Sequence, residues 1–140
     1  MKQQLVQAAE RGNAEAQFNL AIMYENGVVD SRYVAEGNHL EAMRWLLAAA
    51  EQGLARAQTK LAELYREEPE GSVQACEWYL LAAKGLHGAQ LQKVRSAYER
   101  ASLGLTPIQI AEVDRFVQDW APKLPEIAAI PQRADGRPAA

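Results

Sequence analysis

The sequence offers few residues for chemistry. Its 140 residues include one cysteine and two histidines. Cys76 has no second cysteine to pair with, so no internal disulfide forms and nothing marks an oxidising compartment. Neither charge sign dominates: 15 basic residues stand against 18 acidic ones, net −3. That balance gives no diffuse pull toward nucleic acid or an anionic membrane. No apolar run approaches the ~18 residues of a membrane span. After Met1-Lys2-Gln3-Gln4-Leu5, the polar Gln7, Glu10 and Arg11 interrupt any secretory-type apolar core. No Gly-x-Gly-x-x-Gly or Gly-Lys-Ser/Thr element is present to cradle a phosphate. The expectation is a soluble cytoplasmic protein with no cofactor, large enough to bury roughly two-thirds of its unfolded surface without a disulfide or metal.

What the chain does contain is self-similarity. Ala8-Ala9-Glu10-Arg11-Gly12-Asn13-Ala14-Glu15-Ala16-Gln17 reads against Ala49-Ala50-Glu51-Gln52-Gly53-Leu54-Ala55-Arg56-Ala57-Gln58. A shorter third copy is Ala82-Ala83-Lys84-Gly85-Leu86-His87-Gly88-Ala89-Gln90. The first two share a tail, Leu20-Ala21-x-x-Tyr24 and Leu61-Ala62-x-x-Tyr65, at an offset of 41 residues, whereas Trp45 and Trp78 lie 33 apart. Landmarks recurring in one order identify a repeat array.

Periodicity says what the units are. Leu54, Ala57, Leu61, Leu64 and Tyr65 recur at steps of three and four, as do Ala42, Trp45, Leu46, Ala49 and Ala50, so both segments are helices with one buried face. Gly53 between them is a helix stop, and the short loop there implies helices folded back antiparallel. Asn38-x-x-Glu41 has capping-box spacing, Ser72 is placed to cap a helix after Pro69-Glu70-Gly71, and Thr106-Pro107 is a cap followed by proline at the first helical position. Helices are predicted near 2–11, 14–26, 38–51, 54–67, 72–84, 87–101 and 107–121. The last carries one apolar stripe (Ile110, Val113, Phe116, Val117, Trp120) and lacks the repeat landmarks, so it is read as the cap of the array. The repeats and cap form one domain over 1–121. The Pro- and Ala-rich segment 122–140 has the composition of a disordered tail.

Candidate chemistry is sparse. Glu36-x-x-His39 has the spacing of a carboxylate di-iron ligand pair, but Lys84 precedes His87 and no second pair exists, so no metal site is assigned. Cys76 matches Met43 one unit earlier and is read as a packing position. Glu63 and Glu67, one helical turn apart, lie among Lys60, Arg66 and Glu70 and read as a solvated face. Asp30, Ser31 and His39 are the best an enzyme reading can gather, and no catalytic residue is assigned. Lys93, Arg95 and Arg100 around Tyr98 form too small a basic cluster for nucleic acid, with Glu99 diluting it.

The segments Ala-Glu-Ala-Gln-x-x-Leu-Ala-x-x-Tyr-x-x-Gly (14–27), Glu-Ala-Met-Arg-Trp-Leu-x-x-Ala-Ala-x-Gln-Gly (41–53) and Ala-x-Ala-Gln-x-x-Leu-Ala-x-x-Tyr (55–65) resemble the Sel-one-like repeat family, relatives of the tetratricopeptide repeats. The likeness continues in Ala75-x-x-Trp78-Tyr79-x-x-Ala82-Ala83 and covers about residues 5–101. It departs at Ala21 and Ala62, where the family has glycine, and in the length of Gly27 to Asn38. The resemblance implies an all-α fold, a right-handed α/α solenoid of antiparallel helix pairs with a C-terminal capping helix. It also implies a non-catalytic adaptor or scaffold that binds a partner protein or peptide in its concave groove. An immunity-type inhibitor of a partner enzyme is the alternative, and the chain itself is expected to be a monomer or weak homodimer.

By the same resemblance, the helix bearing Leu-x-x-x-Tyr lines the groove. Phe18, Ile22 and Glu25, then Thr59, Glu63 and Arg66, then Gln92, Ser96 and Glu99 are therefore the expected partner-binding positions. Tyr33, on the long 27–38 connection, is a further candidate. Phe18 with Ile22 has the character of an apolar anchor, and Leu103 and Leu105 are available for self-association.

Overall fold

Alanine-rich apolar stripes repeating at helical spacing become helices that pack at close range. The computed structural model describes residues 2–26 and 38–123, and no strand occurs among them. Its helices are α1 (Lys2–Glu10), α2 (Ala14–Glu25), α3 (Asn38–Glu51), α4 (Ala55–Glu67), α5 (Ser72–Lys84), α6 (Gly88–Ser102) and α7 (Pro107–Asp119). Two compact units result, one built on α1–α3 and one on α4–α7. Tyr33, Asp30, Ser31, Glu36 and the segment 124–140 lie outside the described residues.

In the first unit α1 packs on α2, and α2 on α3. Ala9, Ala16 and Leu20 form a buried cluster, with Leu5, Val6, Ala8, Tyr24 and Trp45 packed against it. Gly12 ends α1 at a φ of 98°, a left-handed conformation that L side chains resist. The turn is a Schellman closure: Gly12 N–H donates to Ala9 O and Asn13 N–H to Ala8 O. Asn13 then caps α2, its Oδ1 accepting from Ala16 N at 3.0 Å. The buried Gln17 donates from Nε2 to Ala9 O at 3.1 Å, satisfying a carbonyl in the last turn of α1. Its Oε1 accepts from Gln52 Nε2 at 2.9 Å, so one side chain ties the ends of α1 and α3 together.

In the second unit α5 is the hub, with α4, α6 and α7 all packed against it. Ala75, Cys76, Trp78, Tyr79, Leu81 and Ala82 of α5 are buried, against Ala57, Leu61 and Ala62 of α4, Val94 and Ala97 of α6, and Val113 and Val117 of α7. Trp78 meets Phe116 edge-on, with ring centroids 6.0 Å apart and planes at 71°. Lys84 Nζ donates to Val117 O at 3.4 Å, a cation at one helix end serving a terminal carbonyl of another. The stripe predicted for the last helix is what docks, and it docks on α5. Thr106 starts α7 with a full capping box: its hydroxyl accepts from Gln109 N, and Gln109 Oε1 accepts from Thr106 N.

Two start and stop signals differ from expectation. Ser72 is the first helical residue of α5 and not its cap; Gly71 holds the cap position with no side-chain bond. The reason is steric: a Cβ on Gly71 would fall onto the carbonyl oxygen of Tyr65, so the turn back from α4 admits only glycine there. In the third copy Gly85 has an ordinary φ of −103°, and the left-handed residue is Gly88, with φ 63°.

Candidate functional site

The helix faces named from the sequence separate by unit. On α2, Phe18 and Ile22 are half-buried and Glu25 is exposed. The Glu25 carboxylate lies 3.2 Å from His39 Nδ1 at the start of α3, which gives that histidine a structural partner. On α4, Thr59 is half-buried and its hydroxyl donates back to Ala55 O at 2.9 Å, which spends its polar group inside its own helix. Glu63 and Arg66 are exposed, as are Gln92, Ser96 and Glu99 on α6.

The second unit gathers part of this set into one place. Arg66 of α4, Ser72 at the start of α5, and Arg100 and Ala101 of α6, with Gly104 beyond it, line an open hollow of about 520 Å³. Neither arginine has an ion-pair partner among the described residues. Close to both lies Tyr79, whose hydroxyl is buried with no hydrogen-bond partner among the described residues. Burial raises the Tyr79 phenol above its ordinary value, Arg66 and Arg100 act to lower it, and Glu63 and Cys76 to raise it. The two arginines that line the hollow are thus near enough to act on the charge of the Tyr79 oxygen. Arg66 alone of these was singled out from the sequence. Arg100 was weighed there only beside Lys93, as part of a basic cluster, and Ser72 as a cap. No signal in the sequence marked Tyr79, since a tyrosine following Trp78 on a core helix reads as packing.

The chemistry this arrangement offers is donation of hydrogen bonds by cations. It holds no activated nucleophile. Cys76 is fully buried, and burial, with Glu77 adding, pushes its thiol up to about 11, which disfavours the reactive thiolate. Glu63 and Glu67 are both exposed. Among the described residues no group of three or more His, Cys, Asp or Glu is placed to hold a metal ion. No described helix is long and apolar enough to cross a membrane.

No curated protein and no solved structure matches the chain in comparison. A family model does: the Sel1 repeat matches residues 14–54, which run from α2 through α3, and residues 55–85, which run from α4 through α5. Sel1 repeats are generally protein–protein interaction modules. The two matches together span just over half of the sequence and coincide with the two helix pairs seen in the fold, and the chain belongs to the Sel1 repeat family.

Proposed function

We propose that this chain is a non-catalytic adaptor that holds a protein or peptide partner on the exposed faces of its repeats. The observation that carries the reading is the contrast within α4 and α6. Their Ala-Leu stripes are consumed in packing on α5, while Glu63, Arg66, Gln92, Ser96 and Glu99 remain exposed and polar. A repeat helix with its apolar side satisfied and a varied polar side presented is suited to recognising another chain and to no reaction. Phe18 and Ile22 on α2 and Tyr33 would add apolar contacts in the same partner.

The test is capture followed by reconstitution. A tagged chain retains a partner from lysate of the source cell, and the purified pair rebinds in a titration. The reading is supported when the rebinding survives in purified components and weakens on substitution of the α4 and α6 faces. It fails when no purified protein rebinds, or when the chain alone turns over a substrate. If the captured partner is an enzyme whose activity falls on rebinding, the chain is an inhibitor rather than a scaffold.

A further inference from the structure

The hollow over α5 has a composition that names the chemistry of its occupant. We infer that Arg66 and Arg100, together with Ser72 and the Tyr79 hydroxyl, form a subsite for a carboxylate of the partner, either an acidic side chain or a C-terminus. This rests on the partner-binding reading above and specifies one group of that partner.

Four features converge. Two guanidinium groups, carried by two different helices, flank one space, and no described carboxylate pairs with either. Planar forks of this kind match a carboxylate with paired hydrogen bonds. Ser72 adds a hydroxyl at the first position of α5, where backbone N–H groups lack intrahelical partners and the helix dipole favours negative charge. Gly71 before it supplies no side chain to occupy them.

The fourth feature is Tyr79, 1% exposed, with a hydroxyl that finds no acceptor among the described residues. Buried hydroxyls are ordinarily hydrogen-bonded, so an orphan close to two unpaired arginines points to an acceptor from outside the chain. An acceptor carrying negative charge would satisfy the hydroxyl and both cations at once. Glu63 acts on the same oxygen with the opposite sign and disfavours an approach from its side. Gly104 leaves its own side open, with no heavy atom within 4 Å of where a Cβ would stand.

The experiment is a titration of the whole chain, followed by backbone-amide and arginine Nε–H resonances. The probes are four matched tetrapeptides, with a central glutamate or glutamine and a free or amidated C-terminus, and inorganic phosphate separately. Peptides carrying a carboxylate are expected to shift Ser72, Ala101, Gly104 and both arginine side chains, with the glutamine amide inert. The two singly charged peptides report which carboxylate source is preferred. Arg66→Ala and Arg100→Ala are each expected to weaken binding about tenfold, and Arg66→Lys to restore only part of it. Tyr79→Phe is nearly isosteric and is expected to weaken binding roughly threefold with the fold intact. Glu63→Gln should tighten it about twofold.

Equal shifts from the charged and uncharged peptides overturn the proposal, as does binding retained in both arginine variants. Tighter binding of phosphate at the same resonances reassigns the site away from carboxylates and overturns it too. A Tyr79→Phe variant that gains stability with unaltered affinity removes the tyrosine from the subsite. None of these results touches the adaptor reading, which fails separately, by loss of a reconstituted partner. Capture of that partner unchanged by Arg66→Ala with Arg100→Ala would keep the adaptor and discard the carboxylate.

Discussion

Between α2 and α3 the chain runs through residues 26–37, whereas between α4 and α5 it takes only residues 68–71. That contrast explains why the landmarks of the two repeats are offset by 41 residues at the glycine, Gly12 to Gly53, yet by 33 at the tryptophan, Trp45 to Trp78. The extra residues fall wholly in the connection, and the helices on either side keep their pattern. Lengthening a surface connection costs little, because closure entropy grows only slowly with its length. Shortening one is demanding: the turn from α4 to α5 brings Gly71 so close to the Tyr65 carbonyl that no side chain fits.

The two repeats also begin alike by different means. Asn13 and Leu54 hold nearly the same backbone, φ −71° and ψ 112° against φ −72° and ψ 109°, but only Asn13 contributes a side-chain bond. The backbone of the cap is therefore set by the preceding left-handed glycine and the helix packing, with the asparagine bond an addition to it.

Substitutions can break this contrast at graded strength. Gly71→Ala should have the largest effect, on the order of 3 kcal/mol, from forced movement of the short turn. Urea unfolding measures it, and amide hydrogen exchange should show the loss in α4 and α5 while α2 and α3 keep their protection. Gly12→Ala and Gly53→Ala should each cost about 1–2 kcal/mol, because both hold positive φ, at 98° and 100°. Clearly unequal losses in thermal unfolding would show that the two stops are not equivalent. Asn13→Ala should cost about 1 kcal/mol through its lost cap bond, a term that Leu54→Ala cannot lose.

The smallest effect concerns α7. Burial raises the Glu77 carboxyl above its usual range, and Glu112 raises it further. The folded chain therefore holds a proton that the unfolded chain has already released. Stability falls as pH rises from the ordinary carboxylate range through the raised value, and the full penalty applies above it. Glu77→Gln should recover a few tenths of a kcal/mol at neutral pH and flatten that slope, read from melting temperatures across pH.

The helices were legible from the sequence because each is specified several times over. A period of three to four, a stop glycine and a start signal agree at Gly12–Asn13 and at Thr106–Pro107, and the structure adds only Gln109 to the latter. Ser72 was misplaced because a preference for serine at caps is statistical, while the exclusion of a Cβ at Gly71 depends on a carbonyl six residues back. The hollow was harder to see. Arg66, Ser72 and Arg100 come from three helices and are not equivalent positions in the repeat, so no spacing along the chain unites them. Tyr79 was hidden for another reason: burial is visible in a pattern, but an unsatisfied hydroxyl is visible only in three dimensions.

Gln17 carries a consequence for how such chains lengthen. Its amide reaches back to the carbonyl of Ala9, so the unit beginning at Ala14 brings its own receptor for the last turn of whatever helix precedes it. A copied gene segment that includes this glutamine arrives already equipped to join its predecessor through a backbone atom, which every amino acid supplies. The junction then needs no matching mutation upstream, and duplication alone is enough to add a working unit.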